Sequence, residues 1–353
     1  MKGKNVFMTM VILMALALLS ACPSTDNAED PNSTVVEEPT APPVLDALLV
    51  YHNYVRYGDS TSVIYTYDFK TDMRQIVNAP HAPWSQALLQ DPMNAWFSPD
   101  GKDIVFMAIC MEGEKSNGYD TWCIYKYTLG ESGYPVNLTP DIYRNEDPKY
   151  NHDGTRVYFK RTLPETQTSA LFELDMTQSL PITPRQLTPF IDRVETGMPF
   201  PSPDGSYLLA ATRDWNTDIS SIDLYNFKTK TLRNLYKGKD GTEPYYPIAI
   251  DDKTFYFTSH LSGSNMNDQI YLGYYDGRTP EWMPFNNADV NTSDACPVNN
   301  DWIITSSIRS SGRGSFDLWI MHIKSAAAWN LNEYNSEINS GRQELGASIF
   351  IRN

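Results

Sequence analysis

Residues 94–108 read NAWFSPDGKDIVFMA, residues 147–161 read DPKYNHDGTRVYFKR, and residues 198–213 read MPFPSPDGSYLLAATR. Each holds a tight polar turn between two apolar runs. Aligned on that turn, Asp100, Asp153, Asp204 and then Asp251 of AIDD follow at intervals of 53, 51 and 47 residues. The turn residues have a local reason. Proline presets φ at the second position, aspartate caps the turn, and glycine accepts a positive φ. A period near fifty residues, built of short strands, points to a β-propeller.

Working outward from the turn, every unit has the same parts. After the turn comes a strand such as DIVFMA, RVYFKR, YLLAAT or TFYFTS. A polar loop follows, then a strand such as CIYKYTL, ALFELDM, SIDLYNF or QIYLGYY, and then a shorter one. These strands are apolar almost throughout, as expected of sheets covered on both faces by their neighbours. ACPVNNDWIITSS with FDLWIMHIKSAAAWNLNE makes a further unit without Pro-Asp-Gly. ALLVYHNYV, SVIYTYDF and MRQIV supply three strands of a first unit that lacks its innermost one. The end of the chain, RQELGASIFIRN, aligns with the start of a repeat and is expected to fill that place, leaving no open sheet edge. The expectation is an all-β, six-bladed propeller of four-stranded blades. Its blades span residues 46–78 plus 343–352, 91–139, 146–188, 196–237, 244–286 and 294–332, with seven blades as the alternative.

FSPDGKDIVFMA, SPDGSYLLAATR and the unit ending LPITPRQLTP resemble the repeats of TolB-like propellers, also called PD40 or WD40-like Tol repeats. The resemblance covers the chain from about residue 46 to 353. It implies the propeller fold and a role in the bacterial cell envelope.

The beginning of the chain agrees. MKGKNVFMTMVILMALALLSAC has a short basic start and an apolar run, the layout of an export signal over residues 1–21. Leu19–Cys22, LSAC, resembles the bacterial lipoprotein cleavage box, which implies lipidation of Cys22 and a membrane anchor. Residues 22–45 are rich in Pro, Ser, Thr and acids and read as a disordered tether. The expected location is the cell envelope, with the outer membrane or cell surface preferred to the inner membrane.

The formal net charge is −15, and removal of Lys2 and Lys4 with a signal takes it two units further negative. Such a charge argues against nucleic acid as a partner. Cys110 and Cys123 bracket a hairpin and could pair in an oxidising compartment, closing a loop worth roughly 3 kcal/mol. Buried thiols are the alternative.

Chemistry is expected on the face opposite the turns, where the loops between second and third strands meet those between blades. An acid stands just before each innermost strand: Asp91, Glu146, Glu195, Glu243, Asp294 and Glu344. One reading is a ring at the channel mouth that holds a divalent cation such as Ca2+ on carboxylate oxygens. The other is that each acid caps its blade entry or pairs with a nearby Arg144, Arg193 or Arg342. Arg56, Arg144, Arg161, Arg213 and Arg309 share that face with Trp215 and His260, the composition of a binding surface. No Gly-x-Ser-x-Gly elbow occurs. The function expected is therefore a non-catalytic platform for a protein partner or an envelope glycan. The alternative is a carbohydrate-active enzyme, a lyase or hydrolase, using acids at the channel mouth.

Overall fold

The computed structural model describes residues 38–352 apart from 78–88, 111–120, 132, 165, 240, 310, 311 and 314, and without the side chains of Leu89 and Cys110. The signal, the lipidated Cys22 and the tether up to residue 37 lie outside the described residues. So does the Cys110 side chain, and with it the proposed disulfide; Cys123 is buried and pairs through its backbone with Ala108.

Among the described residues, twenty-four strands form six four-stranded sheets. The first blade takes its innermost strand from the end of the chain: β24 (Gln343–Ile351) lies beside β1 (Ala47–Tyr54), β2 (Val63–Asp68) and β3 (Met73–Ile76). The second blade is β4 (Leu89–Phe97) to β7 (Val136–Asn137), and the third is β8 (Arg144–Tyr150) to β11 (Arg185–Gln186). The fourth runs from β12 (Val194–Pro201) to β15 (Thr231–Lys237), the fifth from β16 (Tyr245–Ala249) to β19 (Glu281–Trp282), and the sixth from β20 (Thr292–Pro297) to β23 (Ala328–Asn330). All neighbours are antiparallel. Each innermost strand packs on the next around the ring, and β20 meets β24 to close it. The chain is thus a six-bladed β-propeller, closed by its C-terminal strand. No helix of the described residues is long and apolar enough to cross a membrane.

The repeated turn does what its residues dictate. Gly101, Gly154 and Gly205 have φ of 69°, 75° and 70°, and their amides donate to the carbonyls of Ser98, Asn151 and Ser202. Ser98 and Ser202 donate to Asp100 and Asp204 at 2.7 and 2.6 Å and accept from the first amides of the next strand. The fifth and sixth blades lack Pro-Asp-Gly. There Asp251 and Asn299 accept two backbone amides each and hold the turn through one side chain.

The core is six apolar layers, one between each pair of adjacent blades. Strand alternation builds them: Leu208 and Ala210 of the fourth blade face Tyr158 and Leu171 of the third, while Leu209 between them faces Phe255 and Phe257 of the fifth. This two-sided burial is why the sequence reads as continuously apolar. Truncating one such leucine is expected to cost about 2–5 kcal/mol.

Candidate binding cleft on the loop face

Every innermost strand carries a β-bulge near its loop-face end, with one residue in the left-handed region. These residues are Asn94, Asp147, Met198, Tyr246, Asp294 and Gly346, with φ between 49° and 62°. The register of each sheet slips at the same place. Each is followed by Pro or Ala; Asn94, Asp147 and Met198 stand six residues before Asp100, Asp153 and Asp204, and Tyr246 and Asp294 five before Asp251 and Asn299. In the second, third and fourth blades that signal was present in the sequence: a residue before Pro or Ala, six ahead of the turn aspartate.

The bulge ring fills the neck of the channel. Asn94 donates to Asp147 at 2.8 Å, the Tyr246 hydroxyl reaches the same oxygen at 3.4 Å, and Asp294 accepts from Ser306 and from the amide of Gly346 at 3.1 Å. Lys149 lies among them with its ammonium 4.8 Å from the centre of the Trp96 ring. Burial pushes this amine down to about 8, against the pull of Asp147 and Asp294. The void left there is about 10 Å³, room for about one water. Gly346 is required at its position, because a Cβ would stand 2.6 Å from the buried His52 ring.

The six acids read from the sequence do not share one place around this ring. Asp91, Glu195 and Glu243 stand three residues before the bulge, Glu344 two, Glu146 one, and Asp294 is the bulge residue itself. Asp91 is buried under the first blade and accepts from the amides of Ser60 and Ser62 at 3.2 and 3.4 Å. Glu344 is fully buried, with Asn53 and Ser340 donating to one oxygen. Among the described residues no group of three or more His, Cys, Asp or Glu is placed to hold a metal ion.

What the fold does bring together is a cleft of about 370 Å³ over the fourth blade, reaching the third and fifth. Glu195, Arg213, Trp215, Glu243 and His260 all line it, joined by Lys160 and Tyr245, which the sequence had not singled out. A row of alternating charge runs into it from the third blade and continues through its lining. Arg144 meets Glu146 at 2.7 Å, Glu146 meets Lys160 at 3.2 Å, and Lys160 meets Glu195 at 3.8 Å. Glu195 is the cross-strand partner of Arg213, which meets Glu243 at 2.7 Å. Arg213 also pairs with Asp218 and lies 5.0 Å from the centre of the Trp215 ring. Glycine at 197 makes the row possible: a Cβ there would stand 2.6 Å from the Lys160 stem. Burial opposes the charge on Lys160, but Glu146 and Glu195 hold its pKa above the ordinary value.

At the far wall His260 approaches Asp268 at 3.4 Å. Burial pushes the Asp268 carboxyl up to about 6, although the Tyr245 hydroxyl bonds to it and His260 is beside it. The Tyr245 hydroxyl is held well above its usual value by burial and by the nearby carboxylates.

The remaining candidates stand elsewhere. Arg161 is buried, donates to Asn145 at 2.8 Å, pairs with Asp141, and packs on Tyr143 and Phe172. Arg309 donates to the carbonyl of Phe285 and lies over Trp319, sealing the junction of the fifth and sixth blades. Arg56 is exposed on the loop after β1.

No family model matches this sequence, and no curated protein matches it. Solved structures do. TolB from Acinetobacter baumannii superposes with a TM-score of 0.62 at 15% identity, over 87% of this chain and 67% of that one. A putative TolB from Agrobacterium tumefaciens gives 0.57 at 15% identity, over 87% and 98%. Hydrazine synthase from Kuenenia stuttgartiensis gives 0.66 at 14% identity, over 88% of this chain and 47% of that one. In fold, this chain is a TolB-like six-bladed propeller.

Proposed function

We propose that the protein is an exported, lipid-anchored component of the bacterial envelope whose propeller is a non-catalytic binding platform for a protein partner or envelope glycan. The export signal and LSAC box support the anchor, through Cys22. The net charge of −15 sets nucleic acid aside. The observation that carries the platform reading is the charge row. Glu146 and Glu195 are both held by Lys160, and Glu243 by Arg213. Acids committed to basic partners make a recognition surface, since a catalytic carboxylate needs its proton or its lone pairs available to substrate.

The test is capture from intact cells after light crosslinking, with the full chain as bait and a Glu195→Ala/Arg213→Ala double variant as control. A partner recovered with the wild type and lost with the variant is the expected result. Recovery that ignores the variant would move the site off this cleft. One observation favours the enzyme alternative: the Asp268 carboxyl, raised to about 6 beside His260. In that case turnover of an envelope polysaccharide would be found and would be lost in Asp268→Asn.

A further inference from the structure

We infer that the cleft over the fourth blade takes a small zwitterion, a molecule carrying an ammonium and a carboxylate a few ångströms apart. The inference rests on the reading of this cleft as a binding site. Its basis is the order of charges along the floor, Lys160, Glu195, Arg213 and Glu243, alternating in sign across three blades. The paired charges stand 3.8 Å apart in Lys160–Glu195 and 2.7 Å apart in Arg213–Glu243, on the scale of the charge separation in an amino acid. The pairs are open enough to exchange. The side chains of Glu195 and Glu243 are 29% and 43% exposed, and those of Lys160 and Arg213 17% and 19%.

The physics of exchange selects the ligand. A simple anion that took Arg213 would release Glu243 from its cation, while Glu195 keeps Lys160. A simple cation that took Glu243 would leave Arg213 with only Asp218, whose side chain is 81% exposed. Of the two, Arg213, at 19% exposure, is the costly one to leave without its partner. A zwitterion replaces both members of a pair at once: its ammonium meets Glu243 and Glu195, its carboxylate meets Arg213 and Lys160, and the row stays neutralised. Met198, Ala211, Pro244 and the face of Trp215 supply an apolar wall for whatever the ligand carries between its charges. The volume, about 370 Å³, is at the small end of small-molecule pockets, which run roughly 300–1,000 Å³.

Isothermal titration of the purified full chain tests this with L-alanine, L-lysine, L-glutamate and L-alanyl-L-alanine. N-acetyl-L-alanine and L-alanine amide, each lacking one charge, serve as comparisons. At least one zwitterion is expected to bind with a Kd below about 1 mM, and blocking either charge should weaken its binding roughly tenfold or more. Glu243→Gln, at an exposed position and checked by its melting curve, should lose the preference for a free amine and keep that for a free carboxylate. Tighter binding of the dipeptide assigns the site to peptide ends; tighter binding of a single residue assigns it to free amino acids. Binding of none of the zwitterions, equal binding of the blocked forms, or titrations unchanged in Glu243→Gln would overturn the inference. If titration fails while capture still depends on Glu195 and Arg213, the platform reading stands and only the ligand class falls.

Discussion

Glu344 shows how much one buried side chain sets. It has no exposure, only one of its oxygens is hydrogen-bonded among the described residues, and burial lifts its carboxyl to about 7 from an ordinary 4.5. The folded chain therefore holds a proton that the unfolded chain gives up between about pH 4.5 and 7. The stability tied to that proton is present on the acid side of the window and lost as pH rises through 7. Glu344→Gln mimics the protonated form, so its stability relative to wild type should improve between pH 5 and pH 8 by roughly 2 kcal/mol, read from urea unfolding. A difference independent of pH would show that the carboxyl is ionised throughout. Gly346 gives a steric counterpart. Gly346→Ala places a Cβ 2.6 Å from the His52 ring at a φ of 62°, and should cost roughly 2 kcal/mol or more. Gly58→Ala, at a φ of 74° with nothing within 4 Å, meets only the backbone strain and should cost about half as much.

At the scale of elements, β24 carries the closure. It is the innermost strand of the first blade and packs on both β4 and β20, so its loss opens two inter-blade layers and exposes the edge of β1. A chain ending at residue 342 should lose its cooperative melt and its near-UV circular dichroism; an unchanged transition would mean that the ring does not depend on this strand. The strands and their closure were legible in the sequence because a fifty-residue period, a turn with its own chemistry and two-sided burial all repeat. The bulge was not recognised. Each bulge rests on a single left-handed residue, with Asp91 at a φ of 51° making a second in β4, and asparagine, aspartate, methionine, tyrosine and glycine all fill the shared position. Missing it made Asp91, Glu146, Glu195, Glu243, Asp294 and Glu344 look equivalent. A slip of one to three residues along a strand sends an acid to the neck, to the cleft or into the core.

At the scale of the whole molecule, the ring gathers groups that the chain keeps far apart. Lys160, Glu195, Arg213, Glu243 and His260 come from three blades, and only closure makes them a single cleft. Five of its residues were picked out from composition and loop position; Lys160 and Tyr245 were not, because each sits within a strand whose neighbours gave no reason to single it out. The central claim is that partners meet the protein here and not on its outer rim. The most direct measurement places a photo-crosslinking phenylalanine derivative at Asn216, exposed beside Trp215, or at Leu232 on the outermost strand of the same blade, in living cells. Irradiation is predicted to give a discrete adduct from position 216 and none from position 232. An adduct from 232 alone, or none from 216, would contradict the account.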